Sequence, residues 1–373
     1  MAIHLFVPQF RVDECLAEIR ECLEKGWSGL GFKTVAFEEA WKTYTGLPHA
    51  HFLSSNTVGL HLALETLKSR LAWADGDEVI TTPLTFVSTN HAILHAHLKP
   101  VFADVDSMLC LDPESVATRV SPRTRAVLFV GMGGSTGQYE SIGRLCRDRG
   151  LLLILDAAHM AGTRLKGRHV GPEADAAVFS FQAVKNLPTA DSGMVCFKSA
   201  EDDARARKLT WLGISKDTFT RTAAQTAYKW RYEVEDVGYK YHGNSVMAAI
   251  ALVQLRYLDQ DNAYRRQLAS WYREQLDGRV HVIPCAQNCE SSTHLFQIRV
   301  PDRDAVMLAL NEHQVFPGVH YRDNTEYPMY AYAAGTCPEA ALASRELISL
   351  PLHLGLRKAD VETVSSLVIR YRQ

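Results

Sequence analysis

The stretch Asp175–Phe197 constrains this chain most, because two apolar runs there flank a polar segment with a single lysine. The runs Ala176–Phe181 and Met194–Phe197 predict short buried strands, and Lys185 lies between them. A low-dielectric environment disfavours the ammonium form, so it lowers the pKa of a lysine and leaves a free amine that can form a Schiff base. The alternative is an ordinary solvated loop lysine.

Two neighbours of this lysine favour the chemical interpretation. Ser180 lies just ahead of Lys185, and its hydroxyl can bind a phosphate group. The continuous apolar run Leu151–Leu155 predicts a strand buried on both faces, and Asp156 follows at its carboxyl end. Ligands of open α/β sheets bind at that end, so Asp156 can hold a protonated pyridine nitrogen; the alternative is a helix N-cap. A lysine, a strand-end acid and a phosphate-binding hydroxyl are the groups that pyridoxal phosphate (PLP) requires from a protein.

The turn Ser54–Thr57 indicates a further contact for an anion. It connects a short strand to a predicted helix, Val58–Arg70. A strand, a small polar turn and a helix in this order point free backbone N–H groups at an anion. Plain capping of the helix by Ser55 or Thr57 is the alternative, and the residues alone favour capping.

The bulk properties exclude several classes of protein. A chain of 373 residues is long enough for two domains, and a net charge of −2 gives no general attraction to nucleic acid or anionic membranes. No apolar run approaches the length of a membrane span, and the N-terminal apolar segment is too short for a signal peptide. The cysteines are scattered, and the close pair Cys285 and Cys289 lacks histidines at zinc spacing. We therefore expect free thiols in a reducing cytoplasm and no structural metal.

Several segments, in order and almost from end to end, resemble the DegT/StrS-type sugar aminotransferases, which are PLP enzymes of the aspartate aminotransferase fold. The resemblance is specific because the order and the spacing of the segments agree together. The segments are Gly26–Trp41, Ser54–Leu64, Gly76–Ile93, Leu155–Gly162, Phe179–Val195, Gly238–Leu255, Gly318–Tyr321 and Ser349–Leu356.

The resemblance implies an α/β chain with the three-layer fold of the PLP-dependent transferases and a mostly parallel central sheet. It places a large PLP-binding domain, including an N-terminal entry segment, in residues 1–258. A smaller C-terminal α+β domain is expected in residues 259–373. From the residues alone, one helix is expected over Val246–Leu258 and a second, arginine-rich helix from Asn262. The resemblance also implies a homodimer with composite active sites.

The resemblance assigns roles to individual residues of this chain. The catalytic pair is Lys185, which carries PLP, and Asp156, which keeps the pyridine nitrogen protonated. The residues expected to contact the cofactor's phosphate, ring face or phenolic oxygen are Asn56, Thr57, Phe86, His159, Ser180 and, from the second subunit, Lys240. The residues expected to contact the substrate are Trp27, Leu30, His320 and Tyr321.

The chain departs from the family pattern at two places. Asn56 stands where glycine is usual, and asparagine tolerates a positive φ, so we expect the turn to survive. The loop Gly131–Tyr139 lacks the usual His-Leu-Tyr-Gly type of sequence, so we expect it to influence the choice of substrate. The polar and aromatic segment Ile214–Glu235 is expected to be a solvated face or a substrate lid.

The expected reaction moves an amino group from glutamate to a keto sugar, usually attached to a nucleotide in relatives. One alternative is a PLP-dependent sugar dehydratase, but those relatives carry histidine where this chain has Lys185. Another alternative is a non-catalytic regulatory protein on the same fold, since a fold does not fix a function. The presence of Asp156, Ser180 and Lys185 argues against that alternative.

Overall fold

A mostly parallel sheet forms the centre of the chain in the computed structural model, which describes residues 2–214 and 232–372. The strands are β1 Ile3–His4, β2 His51–Leu53, β3 Glu78–Thr81, β4 Lys99–Phe102, β5 Thr124–Val130, β6 Leu152–Asp156, β7 Arg164–Leu165, β8 Arg168–His169, β9 Ala176–Ser180, β10 Gly193–Phe197, β11 His281–Val282, β12 Cys289–Glu290, β13 Phe296–Arg299, β14 Val315–Phe316 and β15 Leu347–Leu350. The α-helices are α1 Val12–Glu24, α2 Phe32–Thr45, α3 Asn56–Leu71, α4 Val87–His95, α5 Pro113–Arg119, α6 Tyr139–Arg149, α7 Ala200–Thr210, α8 Ser245–Leu276, α9 Arg303–Glu312, α10 Pro338–Glu346 and α11 Lys358–Tyr371. Short 3₁₀ turns lie at Met132–Gly134, Asn324–Glu326 and Pro328–Ala333.

Within the described residues, the central sheet has seven strands in the order β2-β10-β9-β6-β5-β3-β4. Strand β10 runs antiparallel to β9 and β2, and the pairings from β9 to β4 are parallel. Apolar side chains cover both faces of the sheet. Along β5, Ala126 and Leu128 belong to a core shared with α3, α4 and α7. Val127 and Phe129 belong to the core on the other face, shared with α2, α5, α6 and α8. This alternation buries the sheet between two helical layers, which confirms the predicted three-layer α/β fold.

The two strands that carry the predicted catalytic groups are neighbours. Strands β6 and β9 pair in parallel with Asp156 opposite Val178, so Asp156 and Ser180 end at the same edge of the sheet. The expected strands around Lys185 are confirmed as β9 and β10. The fold therefore brings the strand-end acid, the serine and the loop with Lys185 together.

Helix α8 differs from the sequence-based expectation. We expected a helix over Val246–Leu258 and a separate arginine-rich helix after it, but α8 runs without a break for 32 residues, about 48 Å. The polar pair Asp261 and Asn262 does not end the helix, because Asp261 pairs with Arg11 and Asn262 with Asn186 in other elements. The helix contains no proline or glycine, so nothing in its backbone chemistry interrupts it.

The expected boundary between residues 258 and 259 lies inside α8, which contributes to two cores. Its first half packs on the central sheet, and its second half packs on a smaller core with β13, β15, α9 and α11. In the second core, Leu268 and Tyr272 of the helix lie against the antiparallel pair β13–β15. The helix is therefore the element that fixes the smaller part of the chain against the larger.

Three other expectations concern surfaces and thiols. The eight cysteines are free thiols in this structure. None of the helices in residues 2–214 and 232–372 is long and apolar enough to cross a bilayer. The core of the predicted lid segment, residues 215–231, lies outside the described residues.

Candidate active site

A cavity of about 400 Å³ opens at the carboxyl ends of β5, β6 and β9. Most of the predicted site residues line it, although they come from distant parts of the chain. Those residues are Asn56, Thr57, Phe86, Asp156, His159, Ser180, Lys185, His320 and Tyr321. The cavity therefore brings these nine predicted residues together within a single chain.

Asp156 is the buried anion of this cavity, with 4% of its surface exposed. Its Oδ2 accepts a hydrogen bond from Thr89 Oγ1 at 2.7 Å, and its Oδ1 accepts from the Ala158 backbone N–H at 3.1 Å and from Asn56 Nδ2 at 3.4 Å. Burial raises the pKa of the carboxyl, and these hydrogen bonds oppose the rise because they favour the charged form. Among the described residues no lysine or arginine forms an ion pair with Asp156, so it suits a protonated ring nitrogen.

Lys185 is the cavity's only lysine or arginine among the described lining residues. Its backbone N–H closes a turn on the Gln182 carbonyl at 2.8 Å, which holds the residue just beyond β9. Removal from water lowers the pKa of its amine to about 8, and the charge of Asp156 opposes that shift. About a tenth of the amine is therefore free at pH 7, which is far more than for an ordinary lysine and favours the nucleophilic role.

The predicted phosphate turn begins α3. Ser55 is the N-cap, and its Oγ accepts from the Val58 backbone N–H at 3.3 Å, so the capping interpretation is correct for Ser55. Thr57 and Ser180 line the cavity beside the free N–H groups of this helix start. Gly193 of β10 packs so closely that a Cβ there would lie 2.6 Å from the Asn56 backbone nitrogen.

The Asn56 side chain acts differently from the expectation. It donates to Asp156 Oδ1 and, at 3.1 Å, to the Val178 carbonyl, so the side chain orients Asp156 rather than reaching for a phosphate. Asn56 is the first residue of α3 and does not adopt the positive φ that we expected it to tolerate. Only its backbone N–H remains available to an anion at the helix start.

Phe86 presents a free aromatic face at the mouth of the cavity. It is 57% exposed, so its ring is not packed in the core. Its ring centroid lies 5.8 Å from that of Tyr321. An exposed ring of this kind is suited to stack on a planar ligand.

Taken together, these groups fit PLP. The cavity holds an amine of lowered pKa, an unpaired buried carboxylate, an exposed aromatic face, and a helix start with neighbouring hydroxyls. Each of these matches one part of the cofactor: its aldehyde, its pyridine nitrogen, its ring and its phosphate.

Three residues that contribute to the cavity were missed by the sequence analysis. Thr89 donates to Asp156, His294 lies 4.4 Å from His159 between ring centroids, and Phe6 stacks on His294 at 5.4 Å. Thr89 lies in a segment that resembles the family, so the resemblance could have identified it. No local pattern marks Phe6 or His294, because each reaches the cavity from a distant segment.

Three predicted residues do not line the cavity of their own chain. The Nζ of Lys240 lies 3.2 Å from the ring centroid of Trp211. Trp27 Nε1 donates to the Leu30 carbonyl at 2.7 Å, and this entry loop packs against the start of α8 through Ser245. The proposed role of Lys240 in a second subunit and the substrate roles of Trp27 and Leu30 remain predictions.

The fold and the cavity define a PLP-dependent transferase of the aspartate aminotransferase type. A sequence profile of the DegT/DnrJ/EryC1/StrS aminotransferase family matches residues 10–369. The chain therefore belongs to this family, as its sequence segments predicted.

Solved structures agree with this assignment. The aminotransferase TlmJ from Streptoalloteichus hindustanus is 33% identical with a TM-score of 0.90, covering 99% of this chain and 98% of that one. Helicobacter pylori PseC, an aminotransferase involved in the biosynthesis of pseudoaminic acid, is 25% identical with a TM-score of 0.91 over 100% and 99% of the two chains. A putative sugar aminotransferase from Streptococcus pneumoniae, in its PMP form, is 25% identical with a TM-score of 0.90 over 98% of each chain. The protein is a PLP-dependent sugar aminotransferase.

Proposed function

We propose that this enzyme transfers an amino group from glutamate to a keto sugar that is linked to a nucleotide. The observation that carries the proposal is the Lys185 amine, with its pKa lowered to about 8, in the same cavity as the buried carboxylate of Asp156. The choice of glutamate and of a nucleotide-linked acceptor rests on the resemblance to the sugar aminotransferases.

PLP, when bound, supplies a reactive carbonyl and a ring that withdraws electrons from the substrate carbon. The residues of the chain have complementary tasks. Thr57, Ser180 and the start of α3 would bind the phosphate, and Asp156 would hold a proton on the pyridine nitrogen. The exposed ring of Phe86 would stack on the pyridine ring.

Lys185 has two tasks, which its pKa of about 8 makes compatible. As a free amine it would hold the cofactor covalently. Its Nζ would also serve as the base and acid that moves a proton at the substrate carbon. An amine whose pKa lies near the working pH can both accept and release a proton efficiently.

A screen of acceptors tests the proposed substrates. The enzyme with PLP and glutamate is incubated with keto sugars, free and nucleotide-linked, and with simple α-keto acids, and amino products are detected by mass. We expect amination of a nucleotide-linked keto sugar to be fastest. Faster exchange between ordinary amino acids and keto acids than with any sugar would overturn the acceptor assignment.

We also propose that the enzyme is a homodimer and that Lys240 binds the PLP phosphate of its partner subunit. Lys240 is outside the cavity of its own chain and precedes α8. Two valines nearby, Val234 and Val237, expose 62% and 96% of their surfaces, which supports a contact with another chain at this place. An ammonium group gains charge-assisted hydrogen bonds from a phosphate dianion where water is excluded.

A mixed-dimer experiment tests this proposal. A Lys185→Ala chain is combined with a Lys240→Ala chain, and the formation of mixed dimers is confirmed by mass. If Lys240 acts across the interface, each mixed dimer has one intact site, and equal mixing restores about a quarter of the wild-type activity. No recovery above either parent would show that Lys240 acts within its own chain or has no role.

A further inference from the structure

A column of aromatic rings forms one wall of the cavity. Phe6 stacks on His294 with centroids 5.4 Å apart, His294 lies 4.4 Å from His159, and His159 lies 6.1 Å from Tyr321 at an angle of 20°. The two imidazoles at its centre are buried, with 6% of His159 and 1% of His294 exposed. Because both rings are held in place, the hydrogen-bond partner of a ring nitrogen decides whether that nitrogen carries the proton.

The loop that departs from the family pattern fixes the protonation of His159. The backbone N–H of Gly133 donates to His159 Nδ1 at 3.2 Å. A backbone N–H is always a donor, so Nδ1 must carry a lone pair and the proton of the neutral ring must be on Nε2. Burial also lowers the pKa of His159 well below its usual value, so the ring is neutral.

The fixed Nε2–H determines what Tyr321 does. His159 Nε2 and the Tyr321 hydroxyl oxygen are 3.1 Å apart. Because His159 Nε2 donates, the hydroxyl oxygen of Tyr321 accepts this hydrogen bond. The hydroxyl can then donate its own proton to another group. Desolvation raises the pKa of Tyr321, so the proton stays on the oxygen, and the residue lines the cavity.

His294 has the opposite protonation. Asn186 Nδ2 donates to the Ser292 carbonyl at 2.7 Å, which fixes its amide orientation and makes Asn186 Oδ1 an acceptor. His294 Nδ1 lies 3.0 Å from Oδ1 and must carry the proton. Burial lowers the pKa of His294 well below its usual value, so Nε2 keeps a lone pair, and it has no hydrogen-bond partner within the described residues.

We propose that the adjacent imidazoles of His159 and His294 are locked in opposite tautomers and give the substrate wall one fixed donor, the Tyr321 hydroxyl, and one fixed acceptor, His294 Nε2. This inference rests on the proposed function, because the ligand is then the acceptor sugar. Tyr321 donates to an oxygen of the sugar that has a lone pair but no proton, such as a ketone oxygen, and His294 accepts from a sugar hydroxyl. Towards the sugar, His159 and Gly133 act through Tyr321 and are positioning groups, whereas the predicted contact of His159 with the phenolic oxygen of the cofactor would serve both substrates.

The tautomers can be read without any substrate. Two-bond ¹H–¹⁵N spectra of the PLP-loaded enzyme, labelled with ¹⁵N-histidine, distinguish the two neutral tautomers and the cation. The signals are assigned with His159→Gln and His294→Gln. We expect Nε2–H for His159 and Nδ1–H for His294 between pH 6 and pH 9. The same tautomer in both rings, or a charged ring, would overturn the proposal.

Kinetics then test whether His159 acts through Tyr321. Tyr321→Phe and His159→Leu should each lower kcat/KM for the sugar about 100-fold, the scale for losing one preorganised donor. His159→Gln keeps an N–H near the position of Nε2 and should stay within about tenfold of wild type. In the Tyr321→Phe background, His159→Leu should not change further the ratio of kcat/KM for the sugar to that for glutamate, whereas an additional loss in that ratio would contradict a role through Tyr321.

The outcome stays distinguishable from a failure of the proposed function. If no keto sugar is aminated by the wild-type enzyme, the substrate assignment is wrong, but the histidine spectra still decide the tautomers. If sugars are aminated and Tyr321→Phe retains full sugar kcat/KM, the donor role of Tyr321 is wrong while the proposed reaction stands.

Discussion

The cofactor side and the substrate side of the cavity are built differently. Asp156, Ser180 and Lys185 lie at or just beyond the ends of two paired neighbouring strands, within a short stretch of chain. The substrate wall is assembled from Phe6, His159 and more distant segments around His294 and Tyr321. The first side is set by the central sheet, and the second depends on how α8 and the smaller core are held against it.

This difference predicts which substitutions should affect which half-reaction. In the proposed roles, Lys185 and Asp156 serve both half-reactions, so damage to the cofactor side should affect glutamate and sugar alike. The proposed donor and acceptor of the wall serve the sugar only, so variants of the wall should separate the two half-reactions.

The largest effect is expected for Lys185→Ala. The purified wild-type protein should be yellow with bound PLP, and the variant should lose both the visible absorbance and turnover of glutamate, because no other described lysine lines the cavity. Lys166→Ala is the matched control, since Lys166 is exposed and paired with Glu140. An active, yellow Lys185→Ala enzyme would exclude the role of Lys185.

Asp156→Asn should retain PLP but lose activity about 100-fold or more in both half-reactions. The amide cannot stabilise a protonated pyridine nitrogen, while the phosphate contacts still anchor the cofactor. Absorbance titration with PLP measures the binding, and single-turnover rates with glutamate and with the sugar measure the loss. An Asp156→Asn variant that is impaired with only one of the two substrates would show that the cofactor side does not serve both half-reactions.

The pH dependence of PLP capture should report the amine of Lys185. Covalent capture by the cofactor-free protein requires the free amine, whose fraction falls about tenfold per pH unit below the pKa. The rate should therefore rise from pH 6 and level off above a pKa of about 8. An ordinary lysine would give a rate that still rises at pH 10, and stopped-flow absorbance distinguishes the two profiles.

Thr89→Val should reduce both half-reactions about tenfold, the scale for losing one hydrogen bond to a charged group. The change removes the 2.7 Å hydrogen bond to Asp156 and raises the pKa of that carboxyl further. Thr81→Val is the matched control, because the buried Thr81 hydroxyl has no hydrogen-bond partner among the described residues. Equal losses in both variants would mean that the effect comes from packing.

The smallest effect is expected for Phe6→Leu on the substrate wall. An aromatic pair contributes about 0.5–1.5 kcal/mol beyond its buried area, so KM for the sugar should rise a few-fold. The glutamate half-reaction should be unchanged, because Phe6 contacts His294 and His320 and not Asp156. A loss of similar size with glutamate would show that the two sides are not separable.

The same comparison explains what the sequence could predict. Asp156, Ser180 and Lys185 were identified because strand ends and apolar runs are local patterns, and the fold class followed from them and from the resemblance. The orientation of the Asn56 side chain could not be predicted, since it depends on the Val178 carbonyl of a distant strand. The continuous α8 was missed because the buried partners of Asp261 and Asn262 lie in other elements.

The most direct test of the central assignment is to find which lysine holds the cofactor. Borohydride reduction of the PLP-loaded wild-type enzyme fixes PLP to that lysine, and peptide mass mapping then locates it. The structure predicts a single labelled peptide that contains Lys185, with the label absent when glutamate has first converted the cofactor to its amine form. A label on Lys240 or on any other lysine would contradict the account.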